Sequence, residues 1–223
     1  MNIRLFGPLY EDVAESLREP ILYGLVDRLW YAFPEVHINT DHKSVLQTLH
    51  GAFNKAIFTT TGEDFTLVVG NALRKRGLTL AIAESCTGGL VSDMVTDVPG
   101  ASDYFILGMV SYSNRAKQQI LGVDPAVLKK YGAVCEPVVR QMLTGVLDIS
   151  GADCGIAISG IAGPAGGSVQ KPVGTVFIAA GCQGKVRVER FGFGSVRRKN
   201  KVLSAYTALN MIRLMLQYKN KEN

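Results

Sequence analysis

Leu78-Thr79-Leu80-Ala81-Ile82-Ala83, running into Glu84-Ser85-Cys86-Thr87-Gly88-Gly89, is the stretch whose reading decides the fold. A nearly unbroken apolar run of that length fits a strand buried on both faces. The paired glycines end it, and Leu90 to Thr96 reads as a helix. A strand end feeding a helix is where open α/β sheets place ligands. Downstream the same alternation continues. Strands are predicted at Tyr104 to Ser111, Cys154 to Ile158, Val173 to Ala179 and Lys185 to Phe191. Helices are predicted at Arg115 to Leu121, Pro125 to Tyr131, Pro137 to Ile149 and Arg198 to Leu216. The last two strands are close enough for a hairpin, so the sheet is expected to be mixed. The fold class is α/β: a three-layer α/β/α domain with a mixed sheet over residues 61–223.

Upstream, Thr60 with Glu63 forms a capping-box signature for a helix bearing Phe65, Val68, Val69, Ala72 and Leu73. Gly77 after Arg74-Lys75-Arg76 ends it. Residues 1–60 read as a small α+β module. Ile3 to Phe6, Leu25 to Phe33 and Val36 to Asn39 are strand-like. Pro8 fits a first helical position ahead of Leu9, Val13 and Leu17. Asp41 is placed to cap a helix bearing Val45, Leu46, Leu49 and Phe53. So short a module is expected to lean on a neighbour or a second chain, which predicts a homodimer or higher homo-oligomer.

Composition narrows the function classes. The chain has 223 residues, 47% of them hydrophobic and 19% charged, a globular balance. No apolar run reaches about 18 residues, so no membrane partner is expected. The N-terminus lacks the apolar core of a signal peptide, which predicts a cytoplasmic location. The net charge of +5 falls mostly in helix ends and the C-terminal tail. Solvated helix faces account for such runs better than a nucleic-acid footprint does, and a small anionic substrate also suits the charge. Cys86, Cys135, Cys154 and Cys182 are widely spaced, so reduced thiols and no zinc site are expected.

Three clusters carry chemistry. At Glu84 to Gly89, unpaired N–H groups at a helix start attract an oxyanion or phosphate, although Ser85 or Thr87 would equally cap an ordinary turn. At Ser111-Tyr112-Ser113-Asn114-Arg115-Ala116-Lys117, Asn114 is placed as a cap and Lys117 falls in the first helical turn. The dipole disfavours a cation there unless it is desolvated and neutral, as a lysine base requires; an exposed lysine is the plainer reading. The glycine-rich stretch from Ser159 to Ser168 permits close backbone approach to a ligand, or is a surface loop; it fits neither a Walker loop nor a dinucleotide fingerprint. His37, His42 and His50 all lie in the small module. The main domain therefore cannot by itself supply a Ser-His-Asp triad, a Cys-His dyad or a histidine metal site, and Ser85 with Lys117 is the remaining nucleophile–base pair. Cys86 is the competing nucleophile, though buried cysteines beside a strand are usually packing residues.

At these clusters the sequence resembles the CinA C-terminal-domain family, the nicotinamide-nucleotide amidohydrolases. The stretches that carry the resemblance are Ala83 to Gly89, Ser111 to Asn114 with Lys117, Gly132-Ala133-Val134, Gly160-Ile161-Ala162-Gly163-Pro164 and Lys171-Pro172-Val173-Gly174-Thr175. The resemblance implies a serine nucleophile at Ser85, a lysine base at Lys117 and an assisting hydroxyl at Tyr112. It implies hydrolysis of nicotinamide mononucleotide to nicotinic acid mononucleotide and ammonia, with no cofactor and no metal. Thr87, Gly88, Gly89, Asn114, Gly160, Ala162, Gly163 and Arg197 are expected around the nucleotide substrate. Residues 1–60 look like the middle module of full-length CinA proteins, whose N-terminal molybdopterin-binding-like domain and pyrophosphatase activity are not expected here. Departures are Cys135 before Glu136 where the family often has Ser, Ser159 in place of Thr, and Ser195-Val196-Arg197 in place of Gly-Asp-Arg. The alternative reading is a non-catalytic nucleotide-binding or competence-associated protein on the same fold.

Overall fold

The computed structural model describes residues 1–7, 10–22, 24–194 and 196–217, which form two compact units, residues 1–68 and 69–223. The readings of Pro8, Leu9 and Ser195 fall outside the described residues.

The first unit runs β1 (Asn2–Phe6), α1 (Tyr10–Ser16), α2 (Arg18–Leu22), β2 (Arg28–Ala32), β3 (Glu35–Asn39), α3 (Lys43–Phe53) and β4 (Ile57–Thr59). Its sheet has the order β2-β3-β1-β4 and is antiparallel throughout. Strand alternation sends Ile3, Leu5, Val36 and Ile38 to one face, where Val13, Leu17, Val45 and Leu49 complete a core. Arg4 and His37, facing each other across β1 and β3, take the other face, and both reach the Glu35 carboxylate.

Two predicted caps in this unit fail. Asp41 does not cap α3; the N-cap is His42, whose side chain makes no capping bond, and Asp41 instead faces the chain's terminal ammonium at 3.5 Å. The Thr60–Glu63 capping box also does not form. Residues 57–59 pair with β1 as β4, and the Glu63 carboxylate accepts from the hydroxyls of Thr59 and Thr61. Strand pairing outcompetes the local helix signal, and the helix starts only at Phe65.

From there the order is α4 (Phe65–Arg74), β5 (Leu80–Glu84), α5 (Leu90–Thr96), a 3₁₀ turn (Ala101–Asp103), β6 (Phe105–Val110), α6 (Asn114–Leu121), α7 (Pro125–Tyr131), α8 (Glu136–Ser150), β7 (Cys154–Gly160), β8 (Thr175–Cys182), β9 (Lys185–Gly192) and α9 (Arg197–Gln217). The sheet order is β6-β5-β7-β8-β9; β5 is parallel to β6 and β7, while β8 and β9 run antiparallel, so the sheet is mixed. Ala81, Ala83, Ala157 and Ala179 share one face with Leu121 of α6, Leu128 of α7 and Val138, Val139, Met142, Leu143 and Val146 of α8. α5 and α9 pack on each other and on the opposite face, giving three layers.

The cysteine expectation is corrected. Cys154 and Cys182 are register partners on neighbouring antiparallel strands and are joined by a disulfide, while Cys86 and Cys135 are free and buried. Twenty-eight residues separate the pair in sequence, and only the register brings them together.

Candidate active site

β5 carries Glu84 and Ser85 to the sheet's C-terminal edge, and alternation sends their side chains to opposite faces. The fully buried Glu84 carboxylate turns toward α5. It accepts from the amides of Gly89 (3.0 Å), Val91 (3.1 Å) and Ser92 (2.9 Å) and from the Ser92 hydroxyl (2.8 Å). A carboxylate thus satisfies the orphan N–H groups of α5 and fixes the turn that holds Ser85.

Ser85 meets Lys117 from α6. Lys117 Nζ donates to Ser85 Oγ at 2.9 Å, to the Ser111 carbonyl at 2.7 Å and to the Tyr112 carbonyl at 3.2 Å. Only 1% of Lys117 is exposed, and among the described residues no carboxylate pairs with its ammonium. Burial pushes its pKa from the usual 10.5 to about 8, against a smaller opposing pull from the Cys86 thiol. Ser113, not Asn114, caps α6, its hydroxyl accepting from the Ala116 amide. The one-residue shift leaves Asn114 as an exposed first helical residue, away from the cleft lining.

The cleft, about 180 Å³, is lined by Ser85, Cys86, Tyr112, Lys117, Ala133, Val134, Ser159, Gly160, Ala162 and Arg197. Of the predicted residues, the structure therefore gathers Ser85, Lys117, Tyr112, Gly160, Ala162 and Arg197 there. Tyr112 stands at the lining with its side chain largely exposed. A Cβ at Gly160 would lie 2.7 Å from Val176 Cγ2 and 3.1 Å from Cys86 Sγ, so glycine lets β7 close against the nucleophile's neighbour. The Ala162 carbonyl accepts from Asn200 Nδ2 (3.0 Å) and the Gly163 carbonyl from Arg197 Nη1 (2.8 Å), which ties this loop to the first turn of α9.

Thr87, Gly88 and Gly89 sit behind the nucleophile, with their donors partly spent. The Gly88 amide donates to the Ser85 carbonyl and the Gly89 amide to Glu84. Among the described residues, the amides of Cys86 and Thr87 donate to no backbone carbonyl, which leaves them as the donors best placed to meet an oxyanion. Burial pushes the Cys86 thiol up to about 12, which keeps it protonated and a poor nucleophile.

The sequence reading missed Ser159 as a lining residue; its hydroxyl donates to the Ala133 carbonyl at 2.7 Å. It also missed the positioning contacts of Glu84 and Asn200. Asn200 was legible as the lone neutral polar residue in a run of cations, but nothing local marked it as buried.

The family model for the CinA C-terminal domain matches residues 63–216. A "CinA-like protein" of Geobacter sp. (strain M21) is 38% identical over 226 residues, covering 97% of this chain and 55% of that protein. A "Putative competence-damage inducible protein" of Moorella thermoacetica is 47% identical over 165 residues, 74% of this chain and 40% of its own. The chain thus spans about half the length of the curated relatives it matches. Among solved structures, a CinA superfamily protein from Klebsiella pneumoniae superposes with TM-score 0.67 at 34% identity, covering 69% of this chain and 96% of its own. A competence/damage-inducible protein from Agrobacterium tumefaciens gives 0.65 at 35% identity, with 70% and 97% covered. By its sequence over residues 63–216 and by its fold, the chain belongs to the CinA C-terminal domain family.

Proposed function

We propose that this chain hydrolyses the amide of nicotinamide mononucleotide to nicotinic acid mononucleotide and ammonia, with Ser85 as nucleophile and Lys117 as base. The observation that carries the reading is the 2.9 Å bond between Lys117 Nζ and Ser85 Oγ at the floor of a cleft. A charged lysine uses three donors, here to Ser85 and two carbonyls. Once neutral it keeps two N–H groups, which the Ser111 and Tyr112 carbonyls occupy, and its lone pair is left facing the serine hydroxyl.

In this reading Ser85 Oγ adds to the amide carbonyl carbon while Lys117 takes the hydroxyl proton. The Cys86 and Thr87 amides receive the oxyanion. Collapse breaks the C–N bond, and Lys117 returns its proton to the nitrogen, which leaves as ammonia. A water molecule then adds to the acyl-serine while Lys117 accepts its proton. As the acyl–oxygen bond breaks, Lys117 passes that proton to Ser85 Oγ, which restores the serine hydroxyl and the neutral lysine, and the freed acid ionises to its carboxylate. Arg197 and the net positive charge of the chain favour an anionic substrate.

The test is ammonia release from nicotinamide mononucleotide by the purified chain. Ser85→Ala is expected to lower turnover by at least about 10³-fold with the fold retained. A wild-type chain that binds the nucleotide without releasing ammonia would favour the non-catalytic reading instead.

A further inference from the structure

The first turns of α9 concentrate charge in an unusual way. Arg197, Arg198, Lys199 and Lys201 lie within five residues at a helix N-terminus that carries no acidic residue in its first turn. Four cations at the positive end of a helix dipole repel one another and the dipole, and an anion placed there relieves both costs. Arg197 is tied to the Gly163 carbonyl and Asn200 to the Ala162 carbonyl, so this turn of α9 is pinned to the wall of the cleft. Lys201 is partly buried, one turn on from Arg197 and next to the buried Asn200. Among the described residues its ammonium has no hydrogen bond or ion pair.

Its ammonium lies beside Gly88. A Cβ built there would stand 3.5 Å from Lys201 Nζ, so the ammonium rests against the backbone of the turn that carries Ser85. The same turn holds one further unmet group, the buried Thr87 hydroxyl, which has no partner among the described residues. The Cys86 thiol in the cleft also feels the Lys201 charge.

We propose that Lys201 binds the phosphate monoester of the substrate and sets the preference for a phosphorylated amide over its uncharged riboside. The inference rests on the amidase reading for its substrate, and the experiment separates the two. Binding of nicotinamide mononucleotide is measured by calorimetry in the Ser85→Ala background, which keeps the fold without turnover, alone and combined with Lys201→Met or Lys201→Arg. Hydrolysis of the mononucleotide and of nicotinamide riboside is followed in parallel on the chains that keep Ser85. Loss of one charge-assisted phosphate contact is expected to weaken mononucleotide binding by about 10- to 100-fold in Lys201→Met, with most of it recovered in Lys201→Arg. The kcat/KM ratio of mononucleotide to riboside should fall by about the same factor, because the riboside has no phosphate to lose. Equal losses on both substrates would place Lys201 at the reacting carbonyl and overturn the proposal; unchanged binding in Lys201→Met would overturn it outright. If the wild-type chain does not hydrolyse the mononucleotide and Lys201→Met weakens its binding, the phosphate site stands and the amidase reading falls. If there is neither binding nor hydrolysis, both fall.

Discussion

Lys117 shows how much of the site one residue can carry. With a pKa of about 8, roughly a tenth of the chains hold it neutral at pH 7. Its place in a first helical turn was legible, because a cation there opposes the dipole. Its depth was not, since the groups that close around its ammonium come from the ends of two strands, and Ser85 lies 32 positions away in sequence. The depressed pKa also has a stability consequence. Between pH 8 and 10.5 the unfolded chain holds a proton at this lysine that the folded chain has lost, so folding gains stability as pH rises through that window. The stability difference between the wild-type chain and Lys117→Met, from denaturant melts, is expected to shift toward the wild type from pH 8 to 10. A difference that stays constant would mean the lysine is not desolvated. Cys86 makes the opposite case. Its thiol stays protonated well above neutral pH, so Cys86→Ala is expected to retain turnover within about threefold. A collapse of kcat in that variant, with Ser85→Ala still active, would move the nucleophile by one residue.

At the scale of elements, the strands and helices of the larger unit follow the sequence periodicity closely. What periodicity left out is where elements approach each other. Gly145 looks like a weak point inside α8, where alanine would ordinarily add about 1 kcal/mol of helix stability. In the fold, a Cβ at that position would lie 2.1 Å from the Leu121 carbonyl oxygen, in the last turn of α6. Gly145→Ala is therefore expected to destabilise the chain by about 1–3 kcal/mol and to lower turnover, because α6 carries Lys117. A thermal melt at or above the wild-type midpoint would contradict that packing. Caps were harder to read for a related reason. Ser113 and Asn114 are both good caps, and the choice is set by how β6 delivers the chain. Strand alternation turns Glu84 away from Ser85, but its capture of the Gly89 cap amide and two α5 amides depends on the turn between them. Glu84→Ala leaves those amides without an acceptor and is expected to cost on the order of 2–3 kcal/mol, read from denaturant midpoints.

At the scale of the molecule, solved relatives that match about 70% of this chain along nearly their whole length show that the larger unit's fold occurs without the first unit. A fragment of residues 63–223 is expected to fold cooperatively and keep the Ser85–Lys117 pair; a molten fragment would show that the larger unit depends on residues 1–62. The mixed three-layer architecture was legible because burial on both faces leaves apolar runs between helical periods. The disulfide was not, because strand register decides it, and neither were the two failed caps of the first unit, where Asp41 and Glu63 take other partners. Among the described residues no group of three His, Cys, Asp or Glu side chains could hold a metal ion, and the base in this account is an amine. Turnover is accordingly expected to be unchanged by EDTA, and activity lost in chelator and restored by a divalent cation would count against it. The central claim is that a neutral Lys117 deprotonates Ser85, and the pH dependence of kcat/KM for ammonia release from nicotinamide mononucleotide tests it most directly. The account predicts a rise through one ionisation with a midpoint near pH 8, and its disappearance in Lys117→Met together with about 10²- to 10⁴-fold of the rate. A flat profile in the wild-type chain, or the same ionisation persisting in Lys117→Met, would contradict it.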